Sequence, residues 1–142
     1  GKVAESIKDF DAYIKAVPKS EESHWRRGLS YYYADKFKEG AKQFELGKNF
    51  YRDDVENAFW HYVCFAKTDG LDKARKQLLE IGTDTRPGFM TIYKMIQGKA
   101  KPEDVLAEIE KKKLNKERLN EALFYAHLYI GMNYEAEGNA AK

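Results

Sequence analysis

Residues 21–54 read EESHWRRGLSYYYADKFKEGAKQFELGKNFYRDD. Trp25, Gly28, Leu29, Tyr32 and Tyr33 recur at helical spacing, which predicts a first helix over 23–34. Asp35-Lys36 supplies a turn. Phe37, Gly40, Ala41, Phe44 and Gly47 then share one face of a second helix over 37–51. A Gly inside a helix costs about 1 kcal/mol relative to Ala. Gly28 and Gly40 in register therefore point to a hairpin whose helices cross closely enough to offset that cost. Phe44 is expected to fill the gap between neighbouring hairpins.

The pattern repeats at an offset of 34 residues. Stepping forward, Phe37 meets Leu71, Gly40 meets Ala74, Phe44 meets Leu78 and Gly47 meets Ile81. Stepping back, Phe37 meets Val3, Gly40 meets Ser6, Phe44 meets Phe10 and Gly47 meets Tyr13. Small or apolar character persists at nearly every pairing. A 34-residue period with two helices per unit is a solenoid signature, each unit burying its apolar face against the next.

Around this frame the chain has 142 residues, 25 Lys plus Arg, 23 Asp plus Glu and a formal net charge of +2. That length suits one domain able to bury a core without staples. The lone Cys64 excludes a disulfide framework and a multi-cysteine zinc site. The near-balanced charge argues against a general nucleic-acid binder. The longest apolar run, 123–132, is too short to span a bilayer. Residue 1 is Gly, which suits a processed chain.

Outside the repeats, short helices are predicted over 89–96 and 102–112, the second opened by Pro102-Glu103-Asp104. Asn115 is placed to cap a long last helix over 116–137. A first helix over 2–17 lacks its hairpin partner, and the chain stops before a partner for the last. Uncovered faces are therefore expected at Ile7, Phe10 and Ile14, and at Tyr129 and Tyr134.

On these residues the chain resembles the tetratricopeptide repeat (TPR) family. Gly28, Tyr31, Phe37, Gly40, Phe44 and Gly47 follow its small-large pattern, Pro18 closes a preceding unit, and Leu128-Tyr129-Ile130-Gly131-Met132-Asn133-Tyr134 repeats its first-helix motif. The resemblance implies an all-α fold, a right-handed superhelical stack of antiparallel helix hairpins. One domain, 1–142, would hold a partial repeat at 1–20, repeats at 21–54 and 55–88, a degenerate hairpin at 89–121 and a partial repeat at 122–142. It also implies a concave groove lined by Glu22, Trp25, Leu29, Tyr32, Tyr33, Glu56, Phe59, Val63, Ala66 and Lys67, then by Tyr125, Leu128, Met132, Glu135 and Ala136. Trp25 and Leu29 stand where chaperone-binding members carry carboxylate-clamp residues, so chaperone C-termini are not the expected ligand. Segments 27–33, 54–60 and 126–131 are similar to a subgroup found in some bacteria and in plastids of plants and algae. That likeness implies a removed transit peptide and a place beside an organellar membrane complex.

Chemical signatures are sparse. His61 and Cys64, three apart on one helix, have a spacing that can bind metal, but two ligands do not make a site. Cys64 falls at a small core position, and a free Cys usually packs as a small hydrophobe. Asp53, Asp54 and Glu56 read as a helix cap before they read as a catalytic carboxylate cluster. His24 has no companion ligand in sequence. His127 has none either and is expected on a packed or groove face of the last helix. No phosphate loop or nucleophile elbow is present. Lys73, Arg75 and Lys76, then Lys111, Lys112, Lys113, Lys116 and Arg118, interleave with acids and read as solvated helix surface; an RNA-binding stripe is the alternative.

Twenty of the 142 residues are Phe, Trp or Tyr, and rigid aromatics make good binding hot spots. The expectation is a protein-protein interaction scaffold, with no catalytic role, cofactor or metal, that binds a protein or peptide through an aromatic groove. The alternative is a structural subunit fixed through its terminal helices in a larger complex. Nucleic acid ranks third as a partner.

Overall fold

The structure, a computed structural model, describes residues 2–139. They form α1 (Val3–Ala16), a 3-10 helix (Pro18–Ser23), α2 (Trp25–Tyr33), α3 (Phe37–Leu46), α4 (Val55–Asp69), α5 (Leu71–Lys76), α6 (Phe89–Ile96), α7 (Pro102–Lys111) and α8 (Lys116–Ala136). Helix is the only regular secondary structure among the described residues, which include no strand. Helices α1 to α5 pack each on the next, as do α6 to α8, and α4 additionally touches α2, α6 and α8.

The α2–α3 hairpin turns at Asp35, whose φ of 57° is the left-handed value that a short polar side chain tolerates. A Cβ on Gly28 would stand 2.6 Å from the Phe44 ring, and one on Gly40 would stand 2.9 Å from Cys64 Sγ. Both glycines are therefore required by close approach. Tyr31 is buried beside them, its hydroxyl accepting from Arg27 Nε at 3.0 Å. Helix α3 stops at Leu46, short of the residue 51 expected. Beyond it Tyr51 turns back, donating its hydroxyl to Ser23 O at 2.7 Å.

Helix α4 is the centre of the molecule. Asp54 caps it by accepting from the Glu56 amide at 2.9 Å. Val55 and every residue from 57 to 64 are buried. Burial on every side over two turns marks a core helix, and α4 is enclosed by α3, α5, α6 and α8. Each fully buried large side chain, such as Phe59 or Tyr62, contributes about 1.5–3 kcal/mol from apolar burial.

The second repeat departs from expectation. Helix α5 has only six residues, and residues 77–88 are non-helical. That segment runs back along the start of α4. Gly82 N donates to Arg52 O at 2.8 Å and Thr83 N to Asp53 Oδ1 at 3.1 Å. The buried Asp84 accepts from the Val55 amide at 3.1 Å. These bonds replace those of the second half of a helix. Helices α6 and α7 lie where expected, and Asn115 Oδ1 caps α8 by accepting from the Arg118 amide at 2.9 Å. Helix α8 runs unbroken across the expected unit boundary at 121/122; residues 140–142 of the expected last unit lie outside the described residues.

The uncovered ends are corrected at three positions. Ile7 and Ile14 are buried, because α1 packs on α2, where Ser6 and Ser30 hydroxyls meet at 2.8 Å. Tyr129 is only 2% exposed, because α8 lies along α4. Down the two helices Tyr129 donates to Glu56, its ring sits 4.6 Å from Phe59, Tyr62 Oη bonds Asn133 Oδ1 at 3.3 Å and Lys67 pairs with Glu135 at 2.7 Å. Phe10 is half-buried against His24 at 4.7 Å.

Candidate functional site

The course of α8 decides where a surface site can be. It occupies the face of α4 on which the groove was expected, so Phe59 and Val63, 0% and 1% exposed, are core residues. Their assignment to a ligand-facing groove is corrected. The face of α2 nearest the start of α4 stays open, and there a cleft of about 150 Å³ forms, lined by Trp25, Phe44, Tyr51, Asp54, Glu56, Asn57 and Trp60.

The walls are aromatic. Trp25 opens α2 and is 38% exposed, with the Arg26 guanidinium 5.0 Å over its ring. Trp60, buried on α4, stacks with Phe44 at 6.4 Å and meets the edges of Tyr32 at 5.3 Å and Tyr33 at 6.2 Å. The chain has two tryptophans, and both line this cleft. Tyr33 is 65% exposed and extends the aromatic surface outward from Trp60. Burial pushes the Tyr32 phenol up to about 12, with Glu135 acting in the same direction, so it stays neutral. Burial raises Tyr51 as well, and Asp54 adds to the effect.

The floor is polar. Asn57, 5% exposed, donates from Nδ2 to Phe44 O at 3.0 Å, while its Oδ1 has no hydrogen-bond partner. Asp54 and Glu56 belong to a network around Arg86. This guanidinium bonds Asp54 Oδ1 at 2.7 Å, Asp84 Oδ2 at 2.5 Å and Glu56, and lies 3.7 Å over the Phe89 ring. Three carboxylates thus share one cation at the positive end of α4, which itself favours anions. Burial works to raise Asp84, but hydrogen bonds from the Arg86 side chain and from the Val55 and Arg86 amides hold it below the usual carboxylate value. Burial pushes the Tyr129 phenol far up, reinforced by the Glu56 carboxylate that it donates to.

The other expected groove residues scatter. Glu22 is exposed, and Leu29 is half-buried against the core. Lys67 is tied to Glu135 on α8. Tyr125 stacks on Tyr129 at 6.3 Å and lines a separate cleft of about 140 Å³ with Phe89, Arg86 and Arg118. Leu128 is 39% exposed on the far side of α8, and Met132 packs half-buried against the core. Of the predicted set, Trp25 and Glu56 share the α2–α4 cleft, and Tyr32 and Tyr33 join it through Trp60. Tyr51, Asn57 and Trp60 were missed. Asn57, a polar residue beside Val55, Ala58, Phe59 and Trp60 on the first turns of α4, is the signal that could have found it.

Cys64 is buried in the core, and burial pushes its thiol up to about 12. His61 is 2% exposed, packs 4.7 Å from Phe65 and has an unpartnered Nδ1. His127 is exposed on α8 instead of packed. Among the described residues no group of three or more His, Cys, Asp or Glu side chains could hold a metal, and no helix is long and apolar enough to cross a membrane. Comparison with protein-family models, with curated proteins and with solved structures finds no match.

Proposed function

We propose that the chain is a TPR-like helical-hairpin module that binds a protein or peptide without catalysing a reaction, and that its contact surface is the α2–α4 cleft, not a continuous groove. One observation carries this reading: both tryptophans of the chain meet in one open cleft, beside the exposed Tyr33. Partly exposed Trp and Tyr on a rigid frame are what binding hot spots use. The cleft's polar lining is two carboxylates, an amide and a phenol, which suits recognition and includes no nucleophile–base pair. The test is affinity capture from the native source with the wild-type chain and with Trp25→Ala, both checked for folding. A specific partner lost only from the variant supports the reading, and a partner retained by Trp25→Ala refutes it.

A second reading is favoured by the last helix. Phe124 is 64% exposed and Leu128 39%, one helical turn apart on α8. Such a pair suits a subunit held in a larger assembly by its terminal helix. The plastid setting and the membrane complex rest on the sequence resemblance alone.

A further inference from the structure

We propose that the α2–α4 cleft recognises one arginine side chain of the partner. The inference rests on the peptide-binding reading above and names the chemistry of what enters.

Size comes first. The cleft holds about 150 Å³, roughly half the ~300 Å³ at which small-molecule pockets begin. It admits one long side chain, not a cofactor or a folded element. Trp25, Tyr51 and Trp60 line it with aromatic rings. Aromatic rings attract cations through their quadrupoles, with Trp the strongest and Arg the commonest partner. Asp54 and Glu56 set the sign of the charge that fits. They lie in a network where three carboxylates share the single Arg86, so the site retains an excess of negative charge.

The floor then separates one cation from another. Asp54 and Glu56 line it, and a carboxylate favours a cation bearing N–H donors. A quaternary ammonium has none. A guanidinium has five in a planar fork, stacks on aromatic faces and is weakly hydrated, so it loses less on entering than an ammonium does. The chain already shows the pairing at the rim, where Arg26 lies over the Trp25 ring. Arg26 is also a like charge at the mouth, so it competes with the incoming side chain.

The test uses the two indole N–H signals in nuclear magnetic resonance spectra of the labelled full chain, because both report on this cleft. The probes are arginine, lysine and citrulline, each capped at both ends, and tetramethylammonium. Citrulline has the length of arginine without its charge. Capped arginine should shift the indole signals at millimolar concentration, with citrulline at least about tenfold weaker. Trp25→Leu should weaken arginine at least about fivefold, and Arg26→Gln should strengthen it. Citrulline, lysine or tetramethylammonium equalling arginine would overturn the proposal, as would two unmoved indoles at about 10 mM arginine. In that last case, capture that still depends on Trp25 would leave the peptide-binding reading standing, so the two failures are distinguishable.

Discussion

The Phe44 ring lies 2.6 Å from the position that a Cβ on Gly28 would occupy, so the missing side chain of one residue makes the seat of the other. Phe44 is 1% exposed and stacks on Trp60, which lines the cleft. The crossing of α2 over α3 thus sets the back wall of the candidate site. Gly28→Leu should overpack it and destabilise the fold by about 1–3 kcal/mol or more. Gly131 is the matched control. It is helical, exposed, and a Cβ there meets nothing within 4 Å. Gly131→Ala should raise stability by roughly 0.5–1 kcal/mol through helix propensity. Gly138, with φ of 75°, is unsuitable as a control because a side chain there is strained whatever the space. Urea melts of the two variants check both signs.

Arg86 ties the non-helical segment 77–88 to the start of α4. Arg86→Ala would leave Asp54, Glu56 and Asp84 together without their shared cation. Breaking a fully buried pair costs about 3–5 kcal/mol. The Arg86 side chain is 38% exposed, so solvent screens part of that and about 2 kcal/mol is expected. Arg86→Lys should recover little, because an ammonium cannot fork to three carboxylates. The signature is local: faster hydrogen exchange at the Val55 amide, which donates to Asp84, should exceed the change in α6 and α7.

How far the sequence could carry this depended on whether the controlling contact was local. The α2–α3 hairpin, the Asn115 cap and the Pro102 helix start were legible because spacing, a short polar side chain and a ring-locked φ act within a few residues. Helix α5 stops early although Leu78 and Ile81 keep the apolar pattern, because the segment is held by Arg52, Asp53 and Val55 from another part of the chain. The same limit hid the site. The repeat resemblance places Phe59 and Val63 on a groove, and the path of α8, set by Tyr129 against Phe59 and Asn133 against Tyr62, makes that face core instead. Trp60 is the converse, a residue buried on α4 that also walls a cleft.

His61 gives the fold a pH dependence. Burial pushes its imidazole down to about 4, from an ordinary 6.5 in the unfolded chain. Between those values the unfolded state binds the extra proton. Stability present above pH 6.5 therefore falls as the pH drops toward about 4, by about 3 kcal/mol in all. His61→Phe should flatten most of that slope. His24 is shifted in the same direction, by burial and then by Arg27 and Arg26, so the residual slope belongs to it. Asp84 acts lower. Its depressed carboxyl contributes stability that is lost only as pH falls below the ordinary 3.8. Denaturant midpoints measured from pH 7 to 3 should show the two windows separately, and a His61→Phe profile parallel to wild type would refute the assignment.

Trp25 and Phe59 now predict opposite behaviour, although the repeat pattern put both in one groove. Phe59 is 0% exposed beside Tyr62 and Tyr129, so Phe59→Ala should open a cavity and cost about 3–5 kcal/mol of stability. Any loss of binding in that variant would follow from unfolding. Trp25 is 38% exposed at the start of α2, so Trp25→Ala should leave the melt within about 1 kcal/mol of wild type. Its effect should fall on the partner, weakening it by about 2 kcal/mol or more. Phe124→Asp on α8 tests the competing surface in the same series. Phe124 is 64% exposed, so the change should be tolerated by the fold. If association survives Trp25→Ala and is abolished by Phe124→Asp, the partner sits on the last helix and the α2–α4 cleft is not the contact surface. If it is lost with Trp25→Ala alone, the cleft is the contact surface, and Tyr33→Ala, the outermost aromatic of the same cluster, should show a smaller loss of the same sign.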